Sequence, residues 1–265
     1  MSAPVLSVRD LAVTLRDGAQ PVRVVDGIGF DLNAGEVLGV VGESGCGKTK
    51  TAEALMGLLP PDRAIASADR IRLGEKNLAT LPERALRHIR GRDISMVFQE
   101  PLTALDPVFQ AGDALTAVFR RHRGMSRSQA RRAALEMLAQ VGFADTEGIL
   151  RSYPHELSGG MRQRVLIAMA MACRPRVLIA DEPTSALDVT TQAQVLEQLT
   201  TLAAAAGTAI LLITHDLGIV AHYCDRALVM RRGRIVEDAP VARLFERPTH
   251  PYTLELLAAA RSEAA

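Results

Sequence analysis

Apolar and polar positions divide the chain into stretches of different period. VLSVRDLAVTLR (Val5–Arg16) alternates loosely, Asp17-Gly18 offers a turn, and PVRVVDGIGFDL (Pro21–Leu32) resumes the β-branched bias, so both read as strands. After a break at Asn33 to Gly35, EVLGVVG (Glu36–Gly42) is a short apolar run of buried-strand type. A helical pattern at Thr51–Leu59 stops at Pro60-Pro61, and ISMVFQ (Ile94–Gln99) is a further strand. From about Asp106 to Leu157 the pattern is helical, most clearly in Ser128–Gly142. There Ala134, Leu138 and Val141 share one face, and Arg131, Arg132 and Glu136 share the other. Apolar strands return at Val177–Asp181 and Ala209–His215 with a helix between them, and Arg226–Asp238 reads as a hairpin turning at Arg232-Gly233.

Strand–helix alternation with wholly apolar strands predicts an α/β core. Residues 106–157 form a helical insertion in it, and the N-terminal strands with the C-terminal hairpin form an antiparallel portion. A length of 265 residues suits one domain with a subdomain. Hydrophobic residues at 48% and charged ones at 23% exclude disorder and coiled coil. A net charge of +1, with aromatics at 3% and no Trp, argues against nucleic acid as a partner. The three cysteines, Cys46, Cys173 and Cys224, lack metal-site spacing, and an odd count does not make a disulfide scaffold. No secretion signal or membrane-spanning run is apparent.

Four places carry chemistry. Gly42-Glu43-Ser44-Gly45-Cys46-Gly47-Lys48-Thr49 is a G-x-x-x-x-G-K-[ST] loop between a strand and a helix, with Lys50 following. Its glycines let backbone N–H groups surround phosphate oxygens, Lys48 adds a full charge, and the Thr49 hydroxyl can hold Mg²⁺. The ligand is therefore a nucleoside triphosphate with magnesium. Cys46 is either a small tolerated residue or, through the loop's amide dipoles, a reactive thiol. Val177–Asp181 ends in a carboxylate suited to the magnesium shell, and Glu182 can polarise an attacking water. His215, after the next apolar strand, suits a hydrogen bond to a terminal phosphate. Ser158, Gly159 and Gly160 at a helix start are either an ordinary N-cap or a second anion cradle, one that holds a phosphate belonging to another subunit.

Together these residues resemble the ATP-binding subunits of ABC transporters over nearly the whole chain. The resemblance rests on Gly42–Thr49, a Q-loop glutamine at Gln99, the motif Leu157–Gln163, Val177–Asp188 with its D-loop at Ser185–Asp188, and a switch histidine at His215. It implies the ABC ATPase fold: a P-loop NTPase (RecA-like) core with a mostly parallel sheet, an antiparallel β subdomain and a helical insertion. Residues 1–265 would form one ATP-binding domain, with core and β subdomain at 1–105 and 158–265 and the helical subdomain at 106–157. It further implies a head-to-tail dimer with two ATPs at the seam. Lys48, Thr49, Gln99, Asp181, Glu182 and His215 would act on the ATP in cis, with Thr49, Gln99 and Asp181 at Mg²⁺, Glu182 as general base and His215 positioning the γ-phosphate. Ser158, Gly159 and Gly160 would grip the facing subunit's ATP, and Asp188 would shape the dimer contact.

Gln99–Pro107, LSGGMRQRVLIAMAM and Pro248–Thr253 look like the peptide and nickel uptake branch of bacterial importers. That implies a second, unlike or identical, ABC ATPase subunit and two integral-membrane permease subunits. It also implies, indirectly, an extracytoplasmic solute-binding protein and a place on the cytoplasmic face of the inner membrane. Leu102 and Leu105 would receive a permease coupling helix, or else pack against the helical insertion. Many peptide-branch members carry a cysteine-bearing tail that binds an iron–sulfur cluster. No cysteine follows Cys224 here, so no cluster is expected. The usual adenine-stacking aromatic is also missing from Val22-Arg23-Val24, which leaves the Arg23 guanidinium as the stacking group. Two other classes compete. A soluble ABC-type ATPase of translation or DNA remodelling would show tandem cassettes or a coiled-coil insertion. A non-enzymatic regulatory module would lack Lys48 or Glu182.

Overall fold

The computed structural model describes residues 3–16, 20–99 and 104–263. In chain order its elements are β1 (Leu6–Leu15), β2 (Val22–Leu32), β3 (Val37–Val41), α1 (Lys48–Met56), β4 (Ala64–Ser67), β5 (Arg70–Leu73), β6 (Lys76–Asn77), α2 (Glu83–Ile89) and β7 (Ile94–Val97). The helices α3 (Ala111–Arg123), α4 (Arg127–Gln140), α5 (Thr146–Arg151) and α6 (Gly159–Met171) follow, and then β8 (Val177–Asp181), α7 (Val189–Ala206) and β9 (Ala209–Ile213). The chain closes with α8 (Leu217–Tyr223), β10 (Arg226–Arg231), β11 (Arg234–Pro240), α9 (Val241–Glu246) and α10 (Pro251–Glu263). None of the described helices is long and apolar enough to cross a membrane.

Two compact units result: residues 1–87 with 209–265, and residues 88–208. The first contains an antiparallel sheet in which β1 pairs with β2, β4 and β5, and β6 extends β5. Leu6 stands opposite Leu32 on one side and Leu73 on the other, so one face is a continuous apolar layer. The same unit holds parallel strands β10, β3 and β9, with β11 antiparallel on β10. Every residue of β9 is buried, as expected for a strand covered on both faces. The β10–β11 hairpin turns at Arg232 and Gly233, both at positive φ (48° and 81°), which matches the right-handed twist of the flanking strands. Beneath it Leu244, Tyr252 and Leu257 from the two C-terminal helices pack on Val41, Ala227 and Val229.

The second unit pairs β7 with β8 in parallel and carries α3 to α7. On α4 the predicted apolar face is the buried one: Ala134, Leu138 and Val141 are buried, while Arg131, Arg132 and Glu136 are exposed. A capping box starts that helix, with Gln129 N donating to Ser126 Oγ and Ser126 N donating to Gln129 Oε1. The strands β4, β5 and β6 and the helices α2, α9 and α10 were not expected from the hydrophobic pattern. The Asp17-Gly18 turn lies outside the described residues.

Candidate functional site

The phosphate loop is shaped from behind by backbone. Gly42 stands at φ +154°, and a Cβ there would sit 2.2 Å from the Met230 carbonyl oxygen. Gly47, at φ +109°, would place a Cβ 2.4 Å from the Val24 carbonyl oxygen. No side chain fits at either position, so the glycine spacing is a packing requirement as much as a phosphate one. The Gly233 N–H donates to the Cys46 carbonyl at 2.9 Å. Inside the curl, Lys48 Nζ donates to the carbonyls of Gly42 (2.7 Å) and Glu43 (3.0 Å) and is almost fully buried. These acceptors hold the ammonium where a phosphate would compete for it. Gly47 leads into α1 without a side-chain cap, so the helix's first amides keep their polarity for an anion. Thr49 lies half-buried in the first turn.

Cys46 is buried. Burial pushes its thiol up from the ordinary value and outweighs the Lys48 ammonium at 3.9 Å from Sγ. Of the two readings of Cys46, burial favours the small tolerated residue over the thiolate, because the side chain turns into the core, where a charge is costly. Burial pushes Cys173 up as well, and burial together with the Asp225 carboxylate pushes Cys224 up to about 12.

The carboxylate pair follows from the end of β8. Asp181, the last strand residue, is 1% exposed, and Glu182 is the first residue beyond it. Glu182 takes φ +45°, the left-handed region that a non-glycine residue enters at a cost of about 1 kcal/mol. The turn is fixed by Ser185, whose N–H and Oγ both reach the Glu182 carbonyl. Gln99 Nε2 donates to Glu182 Oε2 at 3.1 Å, so two residues 83 positions apart share one site. Leu102 lies outside the described residues. Leu105, read as either a docking residue or one packed against the helical insertion, is buried at 2% and lines a cleft with Phe109 and Pro154 of the helical unit. The exposed apolar side chains there are Val108 and Phe109.

Ser158 caps α6, its Oγ accepting from Met161 N at 3.2 Å. Gly160 lies under the first turn of α7, where a Cβ would meet Thr191 Cγ2 at 2.5 Å. Gly159 has more room, its nearest neighbour being Leu187 at 3.3 Å. Asp188 caps α7 by accepting from Thr191 N at 3.0 Å, and that bond holds its carboxyl below the usual range. His215 is exposed just after β9, next to Asp216, which caps α8 through Gly218 N and Ile219 N. Arg23 is exposed, with its guanidinium 3.0 Å from Asp26, a carboxylate it shares with Arg234. Ser44 and Gly45 are exposed at the loop tip, and Lys50 pairs with Glu53 at 2.6 Å.

Sequence reasoning missed Tyr252 and Glu237. The Tyr252 hydroxyl accepts from Glu43 N at 3.1 Å, inside the phosphate loop, although the residues are 209 positions apart. Glu237 is 7% exposed and accepts from Thr249 N, Thr249 Oγ1 and His250 N. Burial works against its charge. The hydroxyl of Thr253 beside it and the donors of Thr249 and His250 outweigh burial and lower the carboxyl to about 2. The available signal was a tyrosine in a chain with only three, whose buried polar tip requires a partner.

A phosphate loop, a strand ending in paired carboxylates and a second serine–glycine helix start define an ATP-binding cassette. The sequence profile described as ABC transporter matches residues 25–185, and the chain belongs to that family. Among curated relatives, the peptidoglycan transport ATP-binding protein YejF of Agrobacterium fabrum (strain C58 / ATCC 33970) is 50% identical over 256 residues, covering 97% of this chain and 47% of the relative. The dipeptide transport ATP-binding protein DppD of Bacillus subtilis (strain 168) is 48% identical over 253 residues, 96% of this chain and 76% of the relative. The chain thus spans about half the length of the first and about three quarters of the second. Among solved structures, the ATP-binding cassette MJ0796, in a dimeric post-hydrolysis state bound to ADP and Pi, superposes with a TM-score of 0.78 at 26% identity. That match covers 89% of this chain and 98% of the other.

Proposed function

We propose that this chain is the ATP-hydrolysing subunit of a peptide importer and works as one half of a head-to-tail pair. The observation that carries the reading is Glu182, a carboxylate set on a strained turn and oriented by Gln99, in a chain with an intact phosphate loop. The peptide assignment draws on the relatives named for dipeptide and oligopeptide transport. The pairing draws on the dimeric cassette bound to ADP and Pi.

In this reading the amides of Gly45 to Thr49 take the phosphate oxygens, and the Arg23 guanidinium leaves Asp26 to stack on adenine. Glu43, Ser44 and Lys50 frame the loop on either side. Lys48 Nζ exchanges the Gly42 and Glu43 carbonyls for β- and γ-phosphate oxygens. The described residues include no cluster of three or more His, Cys, Asp or Glu able to cage a metal. The donors on offer are the Thr49 hydroxyl, the Asp181 carboxylate and the Gln99 amide, hard oxygens that suit magnesium shared with substrate phosphates. When bound, magnesium neutralises charge developing on the phosphate oxygens.

Glu182 takes a proton from water as the water oxygen bonds the γ-phosphorus. The bond from that phosphorus to the β-phosphate bridging oxygen breaks, releasing ADP and phosphate. Gln99 keeps Glu182 Oε2 oriented, and His215 donates to the γ-phosphate. Ser158, Gly159 and Gly160 of the facing subunit close over that phosphate, and Asp188 lines the seam. The partners are a second ABC ATPase subunit, unlike or identical, and two permease subunits that bind near Val108 and Phe109. A solute-binding protein acts through the permease, and the chain sits on the cytoplasmic membrane face.

Glu182→Gln tests the assignment. ATP affinity should stay within about threefold while turnover falls roughly 10²- to 10⁴-fold and an ATP-bound dimer accumulates on size exclusion. Ordinary turnover in that variant removes Glu182 from its role.

A further inference from the structure

Two backbone groups of the phosphate loop are held from behind by elements at the far end of the chain. The Cys46 carbonyl accepts from Gly233 N in the hairpin turn, and the Glu43 N–H donates to the Tyr252 hydroxyl in α10. The Gly42–Glu43 peptide is then fixed at both ends, because its carbonyl, that of Gly42, holds Lys48 Nζ at 2.7 Å. One hydroxyl therefore stands a single peptide away from the residue that must meet the triphosphate.

Tyr252 is itself held on several sides. Its ring is 1% exposed within the core formed by Val41, Val229 and Leu244. The Arg231 guanidinium lies over the ring, 4.4 Å from its centre. Its own N–H donates to His250 Nδ1 at 3.1 Å, and the Glu237 carboxylate gathers the N–H groups of Thr249 and His250 just ahead of the helix. A buried, charged carboxylate that accepts three hydrogen bonds at a helix start is a costly way to anchor a surface tail. It is a reasonable way to fix one tyrosine at one height. The nearest part of the loop, Gly42, has no room to shift toward Met230.

We propose that Tyr252 is a positioning residue for nucleotide binding: its hydroxyl pins the Glu43 peptide, and so presets Lys48 and the loop amides for the phosphate chain. The proposal rests on the reading of Gly42–Thr49 as the ATP site and adds that the Pro248–Thr253 segment is part of that site's support. Preorganisation of this kind raises affinity by removing an ordering cost from the binding step. It acts on the ground state and the transition state alike, so it should appear in KM and leave kcat alone.

Tyr252→Phe keeps the ring, its packing and the Arg231 contact, and removes the one acceptor. Losing a hydrogen bond of ordinary net strength predicts MgATP and MgADP dissociation constants raised roughly 3- to 10-fold. KM should rise in parallel, with kcat within about twofold of the parent. A hydroxyl that serves only folding stability would instead lower the melting temperature and leave both constants unchanged, and that result overturns the proposal. Lys48→Ala run beside it separates the two claims. If Lys48→Ala binds MgATP as the parent does, the ATP-site reading fails and this inference falls with it. If Lys48→Ala loses binding while Tyr252→Phe keeps it, only the inference fails. Should Tyr252→Phe not fold, Glu237→Gln reads the same constants from the other end of the anchor. There the expected rise is roughly 2- to 3-fold, and parental affinity contradicts the proposal.

Discussion

The phosphate loop and the turn after β8 are built on opposite principles. The loop works with backbone and is held mostly by backbone: carbonyls of Val24 and Met230 crowd its glycines and the Gly233 N–H holds one peptide group, with the Tyr252 hydroxyl as the side-chain exception. The turn works with side chains. It places Glu182 at a costly φ, and an exposed hydrogen bond from Gln99 reaches the carboxylate. A loop that must fit a constant phosphate geometry gains from rigidity. A base of the kind proposed for Glu182, acting only when its surroundings are complete, gains from a tether that can be released.

The largest break of this contrast is Gly47→Ala. The added Cβ meets a carbonyl that cannot move away, at a φ alanine avoids, and should cost about 3 kcal/mol or more along with most nucleotide affinity. Urea unfolding and ATP titration read the two losses separately. Next is the anchor under the loop. Glu237 is held at about 2, below its ordinary value, so its contribution is fully present above about pH 4.5 and is lost as pH falls toward 2. Roughly 2–3 kcal/mol should leave over that interval, and Glu237→Gln should flatten this part of the pH–stability curve measured by denaturant melts.

Smaller still is the strain at the base. Glu182→Asn should gain about 0.5 kcal/mol of stability, since asparagine tolerates the left-handed region, while hydrolysis is lost. A variant that is both less stable and inactive would show that the turn holds no strain. The smallest effect concerns Cys46. Its burial predicts slower alkylation at neutral pH than a free thiol, with labelling timed by mass spectrometry. Rapid labelling that ATP suppresses would restore the reactive-thiol reading.

The two regions also differ in how far they could be read from sequence. Gly42–Thr49 is contiguous because neighbouring amides must converge on one anion, so the chemistry leaves a fixed spacing. Asp181 and Glu182 were legible for a similar reason, as the end of an unbroken apolar strand. The hairpin turn at Arg232 and Gly233 and the buried face of α4 were equally plain. What failed to show was whatever depends on distant partners. The short strands β4 to β6 are too short to show a period and owe their existence to pairing with β1 and β5. Tyr252 and Glu237 act through tertiary contacts that no periodicity encodes. Cys46 stayed open between two readings because loop dipoles are visible in a motif and burial is not.

The central claim is that hydrolysis needs two cassettes closing around each ATP. It is tested most directly by the per-chain ATPase rate of the purified subunit, alone or mixed with an unlike partner, across a wide dilution series. The account predicts a rate that collapses on dilution and that Ser158→Arg abolishes at every concentration. A rate independent of concentration and indifferent to Ser158 would contradict it.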